Sequence, residues 1–130
     1  MGTPSTLVRR RAGGRCEYCR IPEGYGMGLH VDHIRPKFHD GGEDDSNLAY
    51  SCAQCNWRKG TNVAGFDPDT GTQTALFNPR QHRWDEHFRP DGERVLGITA
   101  VGRTSVWILD VNNEDRLEFR AHLRELSLWP

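Results

Sequence analysis

The sequence predicts an α+β fold: a short β-hairpin followed by one helix, clamped by a four-cysteine metal site, with a small mixed β/α tail packed on it. Three observations predict it. Two Cys-x-x-Cys pairs, Cys16-Glu17-Tyr18-Cys19 and Cys52-Ala53-Gln54-Cys55, account for every cysteine in the chain. The gap between them is wider than in a compact zinc ribbon, so something folded is inserted between the two knuckles. After the second pair, short apolar runs broken by glycine and a final capped helical pattern fill the rest of the 130 residues.

The elements follow in order. The first knuckle precedes a strand, Leu29 to Ile34, which Pro36 ends at the edge of the polar loop Lys37-Phe38-His39-Asp40-Gly41-Gly42-Glu43-Asp44-Asp45-Ser46. A second strand, Leu48-Ala49-Tyr50-Ser51, returns beside the first. A helix then runs from about Ala53 to Lys59 and stops at Gly60, with the Lys59 cation near its negative end. In the tail, apolar alternation from Val95 to Leu109, interrupted by Gly97 and Gly102, predicts strand and turn pieces. A closing helix is expected from about Glu114 to Leu126, with Asn113 as N-cap and Leu117, Phe119, Leu123 and Leu126 toward the core. We read residues 1–130 as a single domain, with a finger core at about 13–65 and a C-terminal extension at about 66–130.

Cys16, Cys19, Cys52 and Cys55 can complete a tetrahedral zinc site with no position left for water or substrate, so a Zn²⁺ held there would be structural. Its binding energy compensates for a finger that buries little apolar surface. The competing reading is a pair of disulfides. The N-terminus leads into Arg9-Arg10-Arg11 without an apolar signal core, which leaves export unsupported.

The insert gathers carboxylate, imidazole and amide groups in His30-Val31-Asp32-His33-Ile34-Arg35-Pro36 and Ser46-Asn47-Leu48. Asp32 and Asn56 offer hard oxygen ligands suited to Mg²⁺ or Mn²⁺. His33 is the natural base for activating water, because a neutral imidazole titrates near physiological pH. Together they point to chemistry on a phosphodiester.

Asp32-His33, Gly41-Gly42, Asn47-Leu48 and Cys55-Asn56-x-x-Lys59-Gly60, in that order between and after two zinc knuckles, resemble the HNH endonuclease family and its ββα-metal finger. The resemblance covers roughly residues 13–65. It implies that Asp32 and Asn56 bind one catalytic divalent ion, Mg²⁺, Mn²⁺ or another. His33 is then the general base, and Asn47 ties the loop down to orient His33. Asn56 stands where the family's last histidine is often found, a variant also present in active relatives. The activity implied is metal-dependent hydrolysis of DNA phosphodiester bonds, leaving 5′-phosphate and 3′-hydroxyl ends. The segments Leu76-Phe77-Asn78-Pro79-Arg80 and Trp84-Asp85-Glu86-His87-Phe88 are similar to an extension seen in one bacterial branch of the family.

Net charge is −1, which argues against a strong general attraction to the phosphate backbone. The distribution matters more. Arg9, Arg10, Arg11, Arg15, Arg35, Lys37, Arg58 and Lys59 gather in the finger half, whereas Asp110, Glu114, Asp115 and Glu118 gather in the tail. His30, Arg35, Lys37, Arg58 and Lys59 are the candidate phosphate contacts, on duplex DNA read with weak sequence specificity. Plain structural roles compete for His30, for the Arg9–Arg11 run, for His39 in the loop and for His82, His87 and His122. Trp57, Trp84, Trp107 and Trp129 are read as buried packing rather than base-stacking residues. No apolar run reaches the length needed to cross a bilayer, and the expected location is cytoplasmic. The alternative function is a non-catalytic zinc-ribbon module that binds nucleic acid. That module would not need Asp32, His33 and Asn56.

Overall fold

A computed structural model describes residues 4–130; Met1, Gly2 and Thr3, which begin the domain expected over 1–130, lie outside the described residues. The order is α1 (Pro4–Arg11), β1 (Leu29–His33), β2 (Leu48–Cys52), α2 (Ala53–Lys59), β3 (Ala64–Phe66), β4 (Gln73–Ala75), α3 (Trp84–His87), β5 (Phe88–Asp91), β6 (Arg94–Gly97), α4 (Ala100–Leu109) and α5 (Glu114–Glu125). Single 3₁₀ turns at Lys37–His39 and Asp45–Asn47 shape the β1–β2 loop. The described strands form three separate antiparallel pairs, β1 with β2, β3 with β4, and β5 with β6.

The β1–β2 hairpin and α2 make a ββα finger. Leu29 pairs with Cys52 and His33 with Leu48, a register that places Asp32 opposite Ala49. The buried Val8 of α1 packs with Leu48 and Tyr50, and the partly buried Leu29 and Val31 join them, so α1 covers the flank of the hairpin. The strand β2 is buried along its whole length. Cys52 ends it and caps α2, its sulfur accepting a bond from the Cys55 N–H at 3.4 Å. At the other end Gly60, with φ +51, closes α2 by donating its N–H to the Asn56 carbonyl. That left-handed φ strains any side chain.

The tail meets the finger in one core. Tyr18, Ile34 and Ala49 of the finger share it with Phe77, Trp84, Phe88, Val95, Leu109, Val111, Leu123 and Trp129. Two indoles grip the first knuckle directly. Trp84 Nε1 donates to the Tyr18 carbonyl at 2.8 Å, and Trp129 Nε1 to the Cys19 carbonyl at 3.0 Å. Each satisfies a buried carbonyl that would otherwise be stranded away from water.

Three expectations need correction. Residues 100–109 form helix α4, not strand and turn pieces. Thr99 starts it by accepting the Gly102 N–H, and Gly102 serves close packing, since a Cβ there would lie 1.9 Å from the His87 carbonyl oxygen. A glycine that lets a helix approach another backbone reads from sequence like a turn glycine. The closing helix and its Asn113 cap are present, the Asn113 side chain accepting the Arg116 N–H at 3.0 Å. Leu126, however, is exposed, and the inward positions of α5 are taken by Arg116, Arg120 and Leu123. Finally, only Trp84 and Trp129 are buried; Trp57 and Trp107 are 84% and 69% exposed.

Candidate functional site

The four cysteines converge. All are buried, all are free thiols, and their sulfurs lie within 4.8 Å of one another. Across the knuckles Cys19 Sγ and Cys52 Sγ lie 3.8 Å apart, far longer than a disulfide. Backbone N–H groups point at the sulfurs, Cys19 toward Cys16 at 3.5 Å and Cys55 toward Cys52 at 3.4 Å, as suits thiolates. Four converging buried sulfurs fit Zn²⁺. The cluster also has a cationic wall that sequence reasoning missed. Arg116 of α5 donates to Cys55 Sγ at 2.8 Å and approaches Cys52 Sγ at 3.9 Å. Burial works against its charge, but the charges of Cys55, Cys19 and Cys52 hold its pKa above the ordinary value. One turn on, Arg120 is brought down to about 10 by burial, while Cys19 opposes that shift. Two buried arginines thus face a centre that four thiolates and a dication would leave negative.

On the finger, Asp32 lies 5% exposed beneath α2. Its Oδ2 accepts the Tyr18 hydroxyl at 2.8 Å, and Lys59 Nζ stands 3.4 Å from Oδ2 and 3.5 Å from Oδ1. The same ammonium donates to the His33 carbonyl at 2.8 Å. Burial raises the Asp32 pKa and lowers that of Lys59, while each partner's charge opposes the shift in the other. The Asn56 side chain is half-buried on α2 and makes no hydrogen bond among the described residues, which leaves its oxygen available as a ligand.

His33 Nε2 lies 2.9 Å from Glu43 Oε1, and Lys37 Nζ is 3.2 Å from the same oxygen. The hydrogen bonds from His33 and Lys37 hold the Glu43 carboxyl below its ordinary range. An ionised carboxylate only accepts, so this bond puts the imidazole proton on Nε2 and leaves the Nδ1 lone pair open. The loop carrying Glu43 is pinned by Asn47. Its Oδ1 accepts the Arg35 N–H at 2.8 Å, and its Nδ2 donates to the carbonyls of Arg35, at 3.0 Å, and Gly42, at 2.8 Å. Gly41 allows the crossing, since a Cβ there would lie 1.6 Å from the Arg35 oxygen.

Residues 16–62 match a protein-family model described as HNH endonuclease. These residues are an HNH domain. The chain is also 28% identical over 109 residues to the Septu protein PtuB of Bacillus thuringiensis, an alignment covering 81% of this chain and 39% of PtuB. The chain therefore spans well under half the length of that relative, and the similarity extends past the HNH domain. No solved structure gives a significant match.

Around the HNH domain most of the clustered cations already have partners. Arg9 pairs with Glu23 at 2.6 Å, Arg11 donates to the Asp45 and Leu48 carbonyls, and Arg15 to those of Arg20 and Leu128. Arg58 reaches Asp110 at 3.1 Å, and Arg35 Nε donates to the His39 carbonyl at 2.6 Å. Arg10 makes no ion pair among the described residues. His30, Arg35, Lys37 and Arg58 are nonetheless exposed, whereas Lys59 is 2% exposed with its ammonium turned inward, away from any phosphate. Among the remaining histidines, His39 Nε2 lies 2.9 Å from the Thr61 carbonyl, and His82 and His87 pack ring to ring, 4.8 Å apart, beside Phe77. His122 is exposed on α5.

The pinning of the loop is open to test. Asn47→Ala removes three hydrogen bonds that fix the chain around Glu43 and so the ring of His33. If His33 acts as proposed below, DNA cleavage should slow by on the order of 10- to 100-fold, the usual cost of a misplaced reacting group. Amide exchange of residues 36–47 should accelerate while the zinc content stays unchanged. Slow cleavage with an unchanged exchange pattern would remove the loop from the explanation.

Proposed function

We propose that the chain is a metal-dependent DNA endonuclease whose chemistry resides in the HNH domain. The observation that carries the reading is the His33–Glu43 bond, which leaves Nδ1 of His33 free to take a proton beside a strand that presents Asp32. In this reading Asp32 and Asn56 hold one divalent ion, Mg²⁺ or Mn²⁺. When bound, that ion supplies charge neutralisation at the scissile phosphate and its departing oxygen. His33 Nδ1 removes a proton from water as the water oxygen attacks phosphorus in line. The P–O3′ bond breaks, and the electron pair leaves on the 3′ oxygen, which takes up a proton from solvent water. The products carry 5′-phosphate and 3′-hydroxyl ends. Glu43 steadies the imidazolium that forms, and Asn47 holds the loop that positions Glu43.

His30, Arg35, Lys37 and Arg58 are the proposed phosphate contacts. Lys59 leaves that set because its charge faces Asp32. Phosphate contacts position a duplex without reading its bases, so weak sequence preference follows. Residues 1–130 act as one unit in this reading, supported by the core that finger and tail share. Among the described residues no helix is long and apolar enough to cross a membrane.

Supercoiled plasmid incubated with zinc-loaded protein and Mg²⁺ or Mn²⁺ should be nicked and linearised, and ligase should reseal the ends. Asp32→Ala should abolish this cleavage while retaining one zinc per chain. Cleavage by Asp32→Ala in Mg²⁺ at the normal rate, or products with 3′-phosphate ends, would refute these roles. Plasmid retarded in a gel but never cut would favour the binding module.

A further inference from the structure

The first zinc knuckle does more than hold two cysteines. Between Cys16 and Cys19, Tyr18 is 2% exposed and sends its hydroxyl across to β1, where it donates to Asp32 Oδ2 at 2.8 Å. The ring cannot easily move. Phe77 packs edge-on at 6.4 Å, and the Tyr18 carbonyl is held by Trp84 Nε1. Lys59 Nζ is close to both oxygens of the same carboxylate and also bonds the His33 carbonyl. A buried carboxylate with one neutral donor from the knuckle and one cation from α2 has little freedom to rotate. Carboxylates that ligate metals depend on hydrogen bonds of this kind for orientation and affinity.

We propose that Tyr18 is a positioning residue that aims the Asp32 carboxylate at the catalytic divalent ion, so that the structural zinc knuckle sets the geometry of the second metal site. The inference rests on Asp32 being a ligand of that ion. It assigns Tyr18, one of the two residues between Cys16 and Cys19, a task that zinc binding alone does not require. Phenylalanine keeps the tyrosine ring and lacks only its hydroxyl, so the hydroxyl can be tested apart from the ring.

The experiment is calorimetric titration of Mn²⁺, without DNA, into full-length zinc-loaded wild type, Tyr18→Phe and Asp32→Ala. Zinc content is measured on each sample. Tyr18→Phe should keep one zinc per chain and bind Mn²⁺ about 10- to 100-fold more weakly, the usual effect of removing a supporting partner. Asp32→Ala should show no Mn²⁺ binding at that site. Wild-type affinity in Tyr18→Phe, with Asp32→Ala inert, would overturn the positioning role and leave the ligand assignment standing. Wild-type affinity in Asp32→Ala would instead remove the ligand assignment. Loss of zinc from Tyr18→Phe would also overturn the proposal, since the tyrosine would then be serving the clamp.

Discussion

Cys52→Ser should yield a chain that does not fold. Cys52 ends β2, pairs in register with Leu29, caps α2 through its sulfur and is one of four sulfurs within 4.8 Å of one another. A serine hydroxyl is a poor ligand for zinc and leaves three sulfurs to hold the ion. Structural zinc is worth about 10–16 kcal/mol of apparent binding free energy in small fingers. The whole stability of a domain this size is about 5–15 kcal/mol. Weakening the site therefore removes an amount comparable to everything that holds the fold together. The damage should reach the tail, because Arg116 loses part of the negative charge it faces, and a buried guanidinium without that charge is costly. The check is near-ultraviolet circular dichroism together with elemental analysis. Wild type should show one zinc per chain and a cooperative melt, and Cys52→Ser neither. A folded, cooperatively melting Cys52→Ser protein would contradict this account, as would wild type that carries intramolecular disulfides and no zinc.

The finger was legible because its signals are local. A knuckle needs two cysteines at fixed spacing, a strand end announces itself at Pro36, and Gly60 stops α2 where the cap geometry requires. Asp32, His33 and Asn47 occupy fixed places within that hairpin, so their order along the chain nearly determines their positions in space. The groups that escaped notice act across long separations. Arg116 meets Cys55 and Trp129 meets Cys19 only after the tail has folded back, and no periodicity in α5 marks a buried arginine as a charge partner. Indeed the apolar spacing pointed to Leu126, which is exposed, because α5 ends at Glu125 and Leu126 is its C-cap. The inward turn of Lys59 is hidden in the sequence for a related reason. A lysine at a helix end reads as a solvated cation, and only the packing of α2 on β1 shows that its charge points inward to Asp32. In α4 the obstacle was Gly102, whose close contact with His87 has the same sequence signature as a turn.

His33→Ala should cut DNA about 10²- to 10⁴-fold more slowly than wild type, the usual contribution of general-base catalysis and about 3–5 kcal/mol of barrier. The fold should not notice. The His33 side chain is partly exposed, and its ring pairs with Glu43, itself largely solvated, a pairing of the kind that adds little to stability. Zinc content and melting temperature should therefore match wild type, which separates this variant from Cys52→Ser. His39→Ala is the control within the same loop. Among the described residues its ring has the Thr61 carbonyl as its one polar partner, so cleavage should fall far less than in His33→Ala. The tautomer argument sharpens the test. With the Nε2 proton directed at Glu43, the lone pair that accepts the proton of water is on Nδ1. His33→Gln can still bond Glu43 through its amide, but it carries no basic nitrogen, so it should be as slow as His33→Ala. A glutamine variant that cuts at the wild-type rate would show that the residue only props the loop, and the base would have to be sought elsewhere.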